Sequence, residues 1–201
     1  MKNKFVKTLI PIICLIFCQS VFAVEEEVIV VTNVPYTASV TKKPSTETVT
    51  MDPANGTHTG LSSVFTLQTN GGDEHFDYVI GAYLDTSSGR ASAYGAEGRI
   101  LFAHVTNPPD STAVANAKTG IGRSKNVFAY PVSILTTNGR TSEYNTNYKD
   151  YGDCYVIKVK GNETGDITFN VLGTPCSGTY ETGLDEAGDY KAVLTFTVTA
   201  K

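Results

Sequence analysis

The chain has 201 residues, a formal net charge of −4 and only 18% charged residues. A length of this size is enough for one domain once any leader is set aside. The negative charge argues against nucleic acid and anionic membrane surfaces as partners, because both attract basic protein surfaces.

Residues 1–23 have the pattern of a secretory signal peptide. A lysine-containing start precedes an apolar run, and Val21-Phe22-Ala23 forms a small-residue cleavage site. The apolar run is about ten residues long, shorter than the ~20 that span a bilayer, which disfavours a retained membrane anchor. We therefore predict an exported mature chain of residues 24–201, whose formal charge becomes −7 with three lysines lost.

Short apolar runs separated by glycine-containing turns predict strands along the mature chain, and no helix is predicted. The predicted strands cover residues 28–32, 36–42, 46–51, 64–69, 77–84, 99–106, 126–136, 154–160, 166–172 and 189–199. Pro131 cannot donate a ladder hydrogen bond, so its strand should be at an edge, bulged or broken there. The spacing of the strands predicts an all-β sandwich or barrel.

Two features connect strands in the second half of the chain. The turn at 161–165 separates two alternating runs by five residues and predicts a hairpin. The mature chain keeps Cys154 and Cys176, and an even pair in an exported chain predicts one disulfide. Two unpaired thiols are the alternative.

The last predicted strand is the most regular in the chain, with one apolar face and one mostly polar face. Its apolar face comprises Tyr190, Ala192, Leu194, Phe196 and Val198. A long, regular strand at the end of a chain is prone to aggregation unless another strand pairs with it. The predicted fold is therefore a sandwich that lacks one strand.

The missing strand can come from another copy of the chain, because an extended segment can be added to an exposed sheet edge. Residues 24–34 have the required form. In an extended strand, one face of this segment would carry Val28, Val30, Thr32 and Val34. The alternative is that this segment is an ordinary first strand of the protein's own sheet.

The two ends of the mature chain resemble the fimbrial subunits of the chaperone–usher pathway, and most of all the pilins of the colonisation factor antigen group. The acidic start Val24-Glu25-Glu26-Glu27 and the segment Thr37-Ala38-Ser39-Val40 match the beginning of those pilins. The turn Ala187-Gly188-Asp189-Tyr190, which opens the last strand, matches their end.

The resemblance implies an incomplete immunoglobulin-like β-sandwich, residues 35–201, completed by a donated strand. It also implies that the donor is residues 24–34 and that the terminal carboxylate of Lys201 anchors the chain to a periplasmic chaperone. The implied partners are other copies or sister pilins, the chaperone and an outer-membrane usher. The implied location is a fimbria on the cell surface, as a major, minor or tip-proximal subunit.

No motif predicts an enzyme, a metal site or a cofactor. His58, His75 and His104 are far apart and lack metal-ligand spacing. The polar cluster 73–77 lacks the calcium-loop pattern and is interpreted as a solvated turn. Nucleophile-elbow, phosphate-loop and dinucleotide motifs are absent from the sequence.

Residues 140–151 interleave Tyr144, Tyr148 and Tyr151 with polar side chains. Tyrosine offers rigid amphipathic contact surface, so this loop is a candidate contact with a host-cell receptor. A surface loop with half-buried tyrosines is the alternative. The predicted function is a structural and adhesive fimbrial subunit without enzymatic activity. The alternative function is a self-complete secreted β-sandwich that binds a host glycan or protein.

Overall fold

The computed structural model describes residues 34–42, 61–119, 124–173 and 181–201. The chain separates into two compact units, Met1–Pro35 and Tyr36–Lys201. In the first unit only Val34 and Pro35 are described, and both are exposed. Among the described residues, no helix is long and apolar enough to cross a membrane.

The second unit consists mainly of β-strands, which confirms the predicted all-β fold. Its strands are β1 (Ala38–Lys42), β2 (Leu61–Thr69), β3 (Phe76–Thr86), β4 (Gly89–Ser92), β5 (Ile100–His104), β6 (Val127–Tyr130), β7 (Val132–Thr136), β8 (Thr141–Asn145), β9 (Cys154–Lys158), β10 (Glu163–Val171), β11 (Tyr190–Lys191) and β12 (Val193–Ala200). One α-helix, α1 (Ser111–Thr119), lies between β5 and β6. Short 3-10 turns occur at Ala96–Gly98 and Lys149–Tyr151.

The strands form antiparallel sheets that pack as a sandwich. The first sheet has the order β1-β2-β10-β7. The second has the order β12-β3-β9-β8, with β4 also paired to β3. The third has the order β11-β5-β6. The chain passes from the third sheet to the first between β6 and β7, and Pro131 is the residue at that change. The break predicted at Pro131 is therefore confirmed.

The core lies between the sheets, and the alternation of the strands determines which side chains enter it. In β10, Ile167 and Phe169 are buried, whereas Thr168 and Asn170 are half-buried on the other face. β3 is an exception, because both of its faces are covered. Its inward Tyr78 and Ile80 join the main core, and Val79 on the opposite face packs in a smaller cluster.

Helix α1 contradicts the prediction that the chain has no helix. Asp110 caps it, since the Asp110 carboxylate accepts a hydrogen bond from the Ala113 N–H at 2.7 Å. Four of the nine helical residues after this cap are alanine or lysine types with high helix propensity. The residues Asn107-Pro108-Pro109-Asp110 favour a turn, but an aspartate before an alanine-rich run is also a helix start.

The predicted hairpin around 161–165 is wrong, because β9 lies in the second sheet and β10 in the first. Gly161 and Asn162 both have positive φ, 95° and 50°, and turn the chain across the sandwich. A side chain at Gly161 would place its Cβ 2.9 Å from the Gly72 backbone nitrogen. Alternation cannot distinguish a hairpin from this crossover, because both sheets face the same core.

The last predicted strand, 189–199, is two strands rather than one. β11 pairs with β5 in the third sheet, and β12 pairs with β3 in the second. Ala192 is the residue between them. Strands β4 and β8 were not predicted, and the predicted strands 28–32 and 46–51 lie outside the described residues.

Candidate strand-acceptor site

The candidate site is the outer edge of β12. One edge of β12 pairs with β3, from Val193 opposite Tyr83 to Ala200 opposite Phe76. Among the described strands, none pairs with the other edge. Across the sandwich lies β1, the end strand of the first sheet, and Cα atoms of the two strands come within 8 Å. The described part of the sandwich is therefore unpaired along the side between β12 and β1, which we call the open side.

Apolar side chains of β12 face this open side. Leu194, Phe196 and Val198 pack against the main core but are only half-buried. The Phe196 ring lies 5.5 Å from the ring of Phe65 in the first sheet. By contrast, Ile80 on the adjacent strand is 0% exposed. The core is therefore fully covered at Ile80 of β3, the neighbouring strand, and only partly covered at β12.

The five predicted acceptor residues do not lie on one strand. Leu194, Phe196 and Val198 line the open side, whereas Tyr190 belongs to β11. The Tyr190 hydroxyl donates to the Glu186 carbonyl at 2.9 Å, and its ring packs edge-on against Phe128 at 5.0 Å. Tyr190 and Ala192 both contact the main core. The prediction that Tyr190 belongs to the same continuous strand is wrong, because the chain changes sheet at Ala192.

The C-terminal end of β12 is fixed by polar contacts. The Lys201 N–H donates to the His75 carbonyl at 2.9 Å, and its ammonium group lies 3.6 Å from the Asp77 carboxylate. Asp77 also accepts hydrogen bonds from Lys149 and, at 3.2 Å, from the Tyr148 hydroxyl. Burial raises the pKa of Asp77, but the bonds from these donors and the nearby lysine charges outweigh it and lower the pKa overall. The role predicted for the Lys201 carboxylate at a chaperone stays a prediction.

The start of β1 is held at the same end of the domain. The Tyr36 ring stacks on His75, with centroids 3.5 Å apart and planes 20° apart. The Thr37 N–H donates to the Asn70 Oδ1 at 2.6 Å, and the Asn70 N–H donates to the Thr37 carbonyl at 3.1 Å. We call Tyr36, Thr37, Asn70 and His75 the root clamp. Since His75 also receives the Lys201 N–H, the root clamp lies beside the end of β12.

Only one of the four predicted donor residues lies in the described part of the chain. Val28, Val30 and Thr32 lie outside the described residues. Val34 is described, and its side chain is 70% exposed. An exposed valine at this position is available to a partner, but the donor role stays a prediction.

The three tyrosines proposed as a receptor contact do not form one exposed patch. Tyr144 packs on the main core beside Tyr94 and Tyr155, with ring centroids 5.7 and 5.4 Å away. Burial raises the pKa of Tyr144 to about 12. Tyr148 and Tyr151 stack on each other and cover the smaller cluster on the opposite face of the second sheet. All three are half-buried, and a receptor contact there stays a prediction.

Cys154 belongs to this smaller cluster, is buried, and has no disulfide partner among the described residues. Burial, assisted by the negative charges of Asp153 and Asp77, raises the pKa of the thiol to about 11. Its predicted partner, Cys176, lies outside the described residues. The disulfide is therefore not seen, and it stays a prediction.

The structure contains a buried ion pair, Arg140 with Glu163, that the sequence analysis does not predict. The Arg140 side chain is 1% exposed, and its Nε donates to the Glu163 carboxylate at 2.5 Å. Its two Nη atoms have no hydrogen-bond partner among the described residues. A lone arginine that follows Asn138-Gly139 gives no sequence signal for burial, because such turns are usually exposed.

The histidines do not form a site together. His75 belongs to the root clamp, His104 is buried, and His58 lies outside the described residues. The His104 Nδ1 accepts the Asn107 N–H at 2.9 Å, which fixes the loop after β5. In the described ranges, no group of three or more His, Cys, Asp or Glu residues is arranged to hold a metal ion.

Comparison with known proteins gives no further assignment. No protein-family model matches the chain. No curated protein matches it either. The candidate function therefore rests on the geometry of the open side and on the sequence of the two ends.

Proposed function

We propose that the chain is a structural and adhesive subunit of a bacterial surface fimbria, and that it polymerises by strand exchange. In this proposal, residues 24–34 of one copy are added beside β12 of the next copy. The observation that carries the proposal is the open side of the sandwich, where half-buried Leu194, Phe196 and Val198 lie along an edge that no described strand covers. Strand addition satisfies both the apolar side chains and the backbone groups of such an edge.

The lengths of the two segments agree. β12 has eight residues, so at ~3.3 Å per residue it is about 26 Å long. The four inward donor positions, Val28, Val30, Thr32 and Val34, extend over seven residues, or about 23 Å at the same rise. A strand paired with both β12 and β1 needs ~9.6 Å between them. Cα atoms of the two strands lie within 8 Å of each other, so β1 must move outwards by at least about 1.6 Å to admit the strand.

The energetics favour a long-lived association between the donor strand and β12. Each buried valine contributes ~1.5–3 kcal/mol before the cost of ordering the segment. The inserted strand also covers Leu194, Phe196 and Val198 and adds a row of backbone hydrogen bonds. A subunit without this strand keeps an uncovered apolar edge and tends to aggregate.

This tendency explains the partners in the proposal. A periplasmic chaperone covers the open side before assembly, and an outer-membrane usher passes subunits to the growing fimbria at the cell surface. The signal peptide at 1–23 supplies export to the periplasm. The proposal requires no enzymatic activity, no metal and no cofactor, because strand exchange involves no covalent step.

Removal of residues 24–34 tests the proposal. In cells that supply the chaperone and the usher, we expect the intact chain, expressed with its own leader, to form ladders that resist heating in detergent, and we expect the truncated chain to form none. A synthetic peptide of residues 24–34 should raise the melting temperature of the truncated chain, whereas a scrambled peptide of equal composition should not. A stable intact monomer that never forms ladders, together with a truncated chain that unfolds, would contradict strand exchange.

A self-complete module that binds a neutral host glycan is the second candidate, and one observation favours it. A shallow groove of about 400 Å³ lies at one end of the first sheet, where the start of β1, the end of β2 and the start of β10 meet. Its lining is free of charged side chains and consists of Thr37, Ala38, Ser39, Gln68, Thr69, Asn70, Asn162 and Thr164. Binding of neutral oligosaccharides by a stable monomer, lost in Gln68→Ala, would support this candidate over the first.

A further inference from the structure

We infer that neighbouring subunits are connected by a stiff joint of one residue, Pro35, so that the fimbria is straight and rigid rather than thread-like. The inference rests on the proposed function, because it describes the joint between an inserted strand and the domain that supplies it. It goes beyond that function, because strand exchange alone permits either a rigid or a flexible fibre.

The domain side of the joint is the root clamp, which holds the chain immediately after Pro35. The Tyr36 ring stacks on His75 at 3.5 Å, and two hydrogen bonds connect the Thr37 backbone with Asn70. The Thr37 carbonyl also accepts the Thr69 hydroxyl at 2.9 Å. These contacts fix both the position and the direction of the chain where it leaves the domain.

The other side of the joint is the inserted strand, whose last inward residue is Val34. Pairing with β12 of the neighbouring subunit would fix the backbone of Val34 in the extended conformation. Only Pro35 separates this residue from Tyr36. The connection therefore contains no loop.

The chemistry of proline removes most of the remaining freedom. Its ring fixes φ near −65°, and the residue before it is restricted to extended backbone. The peptide bonds on either side are planar. Only ψ of Pro35 and φ of Tyr36 remain as soft torsions, so this connection cannot behave as a flexible linker.

The acceptor strand ends at the same place in the domain. The Lys201 N–H donates to the His75 carbonyl, and the His75 ring carries the Tyr36 stack. The place where a subunit's own donor segment leaves the domain therefore lies beside the end of β12. β12 is the strand that receives the donor segment of a neighbouring subunit. A single turn, residues 70–75, fixes one relative to the other.

An insertion at the joint tests the inference. Gly-Ser-Gly would be inserted between Pro35 and Tyr36 in the full chain with its own leader. The matched control carries the same insertion between Ser88 and Gly89, in an exposed turn where Gly89 has φ +124° and no atom lies within 4 Å of its added Cβ. Persistence length would be measured on filaments by electron microscopy.

We expect straight filaments from the parent chain and the control, and a persistence length about threefold or more shorter from the joint insertion, because flexible linkers lose orientation over a few residues. Heat-resistant ladders should remain in all three. A second variant of unchanged length, Tyr36→Ala with His75→Ala, should shorten the persistence length less.

Thread-like parent filaments, or joint-insertion filaments as straight as the parent, would overturn the inference and leave strand exchange intact. If the joint insertion prevents assembly, filaments of the Tyr36→Ala, His75→Ala variant decide the question. A persistence length equal to that of the parent filaments would then overturn the inference. An intact chain that forms no ladder at all contradicts the proposed function instead.

Discussion

Arg140 and Glu163 form a deeply buried ion pair, with side chains that are 1% and 16% exposed. Removing the negative partner leaves a buried guanidinium without compensation, which costs about 3 kcal/mol or more. We therefore expect Glu163→Gln to lower the free energy of unfolding by at least this amount in urea titrations. The loss should be accompanied by no change of the denaturant slope, because the core itself is unchanged.

Glu143→Gln is the matched control for that substitution, because Glu143 is exposed on β8. An exposed carboxylate contributes within ~0.5 kcal/mol to stability. Equal losses of unfolding free energy in the two variants would show that pairing with buried Arg140 does not increase the contribution of Glu163 to stability.

Asp77 connects the end of β12 to the rest of the domain in a pH-dependent manner. Its pKa is lowered in the folded protein, so the stabilisation is present above the ordinary carboxyl pKa of ~3.9 and is lost as the pH falls through the lowered value. We expect Asp77→Asn to lower the melting temperature at pH 7 and to match the parent chain near pH 2. A difference that persists unchanged at pH 2 would mean that the charge of Asp77 is not the cause.

The thiol of Cys154 is protected both by burial and by a pKa of about 11. We expect it to resist maleimide in the native protein at pH 8, since the thiolate is the reactive form. Unfolding without reductant then tests the disulfide with Cys176. Two reactive thiols would exclude the bridge, whereas none would establish it.

At the scale of elements, helix α1 depends on its cap. The Asp110 carboxylate accepts the Ala113 N–H, and loss of such a cap costs about 1 kcal/mol. We expect Asp110→Ala to reduce the free energy of unfolding by this amount. Ser111→Ala, one residue later at the first helical position, is the control and should be nearly neutral. Equal losses would assign the effect to the loop rather than to the cap.

The strands were predictable because their alternation reflects burial on one face. Residues 64–69, 77–84 and 166–172 fall within or largely within β2, β3 and β10. Helix α1 was missed because its small alanine side chains give no strong apolar periodicity. Strand β8 was missed because its exposed edge carries polar residues, which also occur in loops.

Sheet membership could not be obtained from the sequence. The crossover between β9 and β10 depends on backbone conformation at Gly161 and Asn162, and the same residues also suit a hairpin. The same limit applies to the candidate site. Alternation identified Leu194, Phe196 and Val198, but it could not show that the chain changes sheet at Ala192 and takes Tyr190 to another strand.

For the whole molecule, the open side should control assembly. Phe196 faces the open side, and an asparagine there would place an unsatisfied polar group beneath an inserted strand, at a cost of ~1–3 kcal/mol in addition to the lost apolar contact. We expect Phe196→Asn to abolish heat-resistant ladders. Thr195→Asn, on the exposed face of the same strand, should retain them. Loss of ladders in both variants would point to general damage to β12.

If subunits associate as proposed, the placement of β12 has a mechanical consequence for a fimbria under flow. A strand seated along its full length is pulled parallel to its own axis when the fibre is under tension. All its backbone hydrogen bonds then bear the force at the same time, and they cannot break one after another from one end. The paired strand would separate only when the whole row of hydrogen bonds breaks in shear. Subunits should therefore stay attached under loads that would separate a strand pulled away from one end.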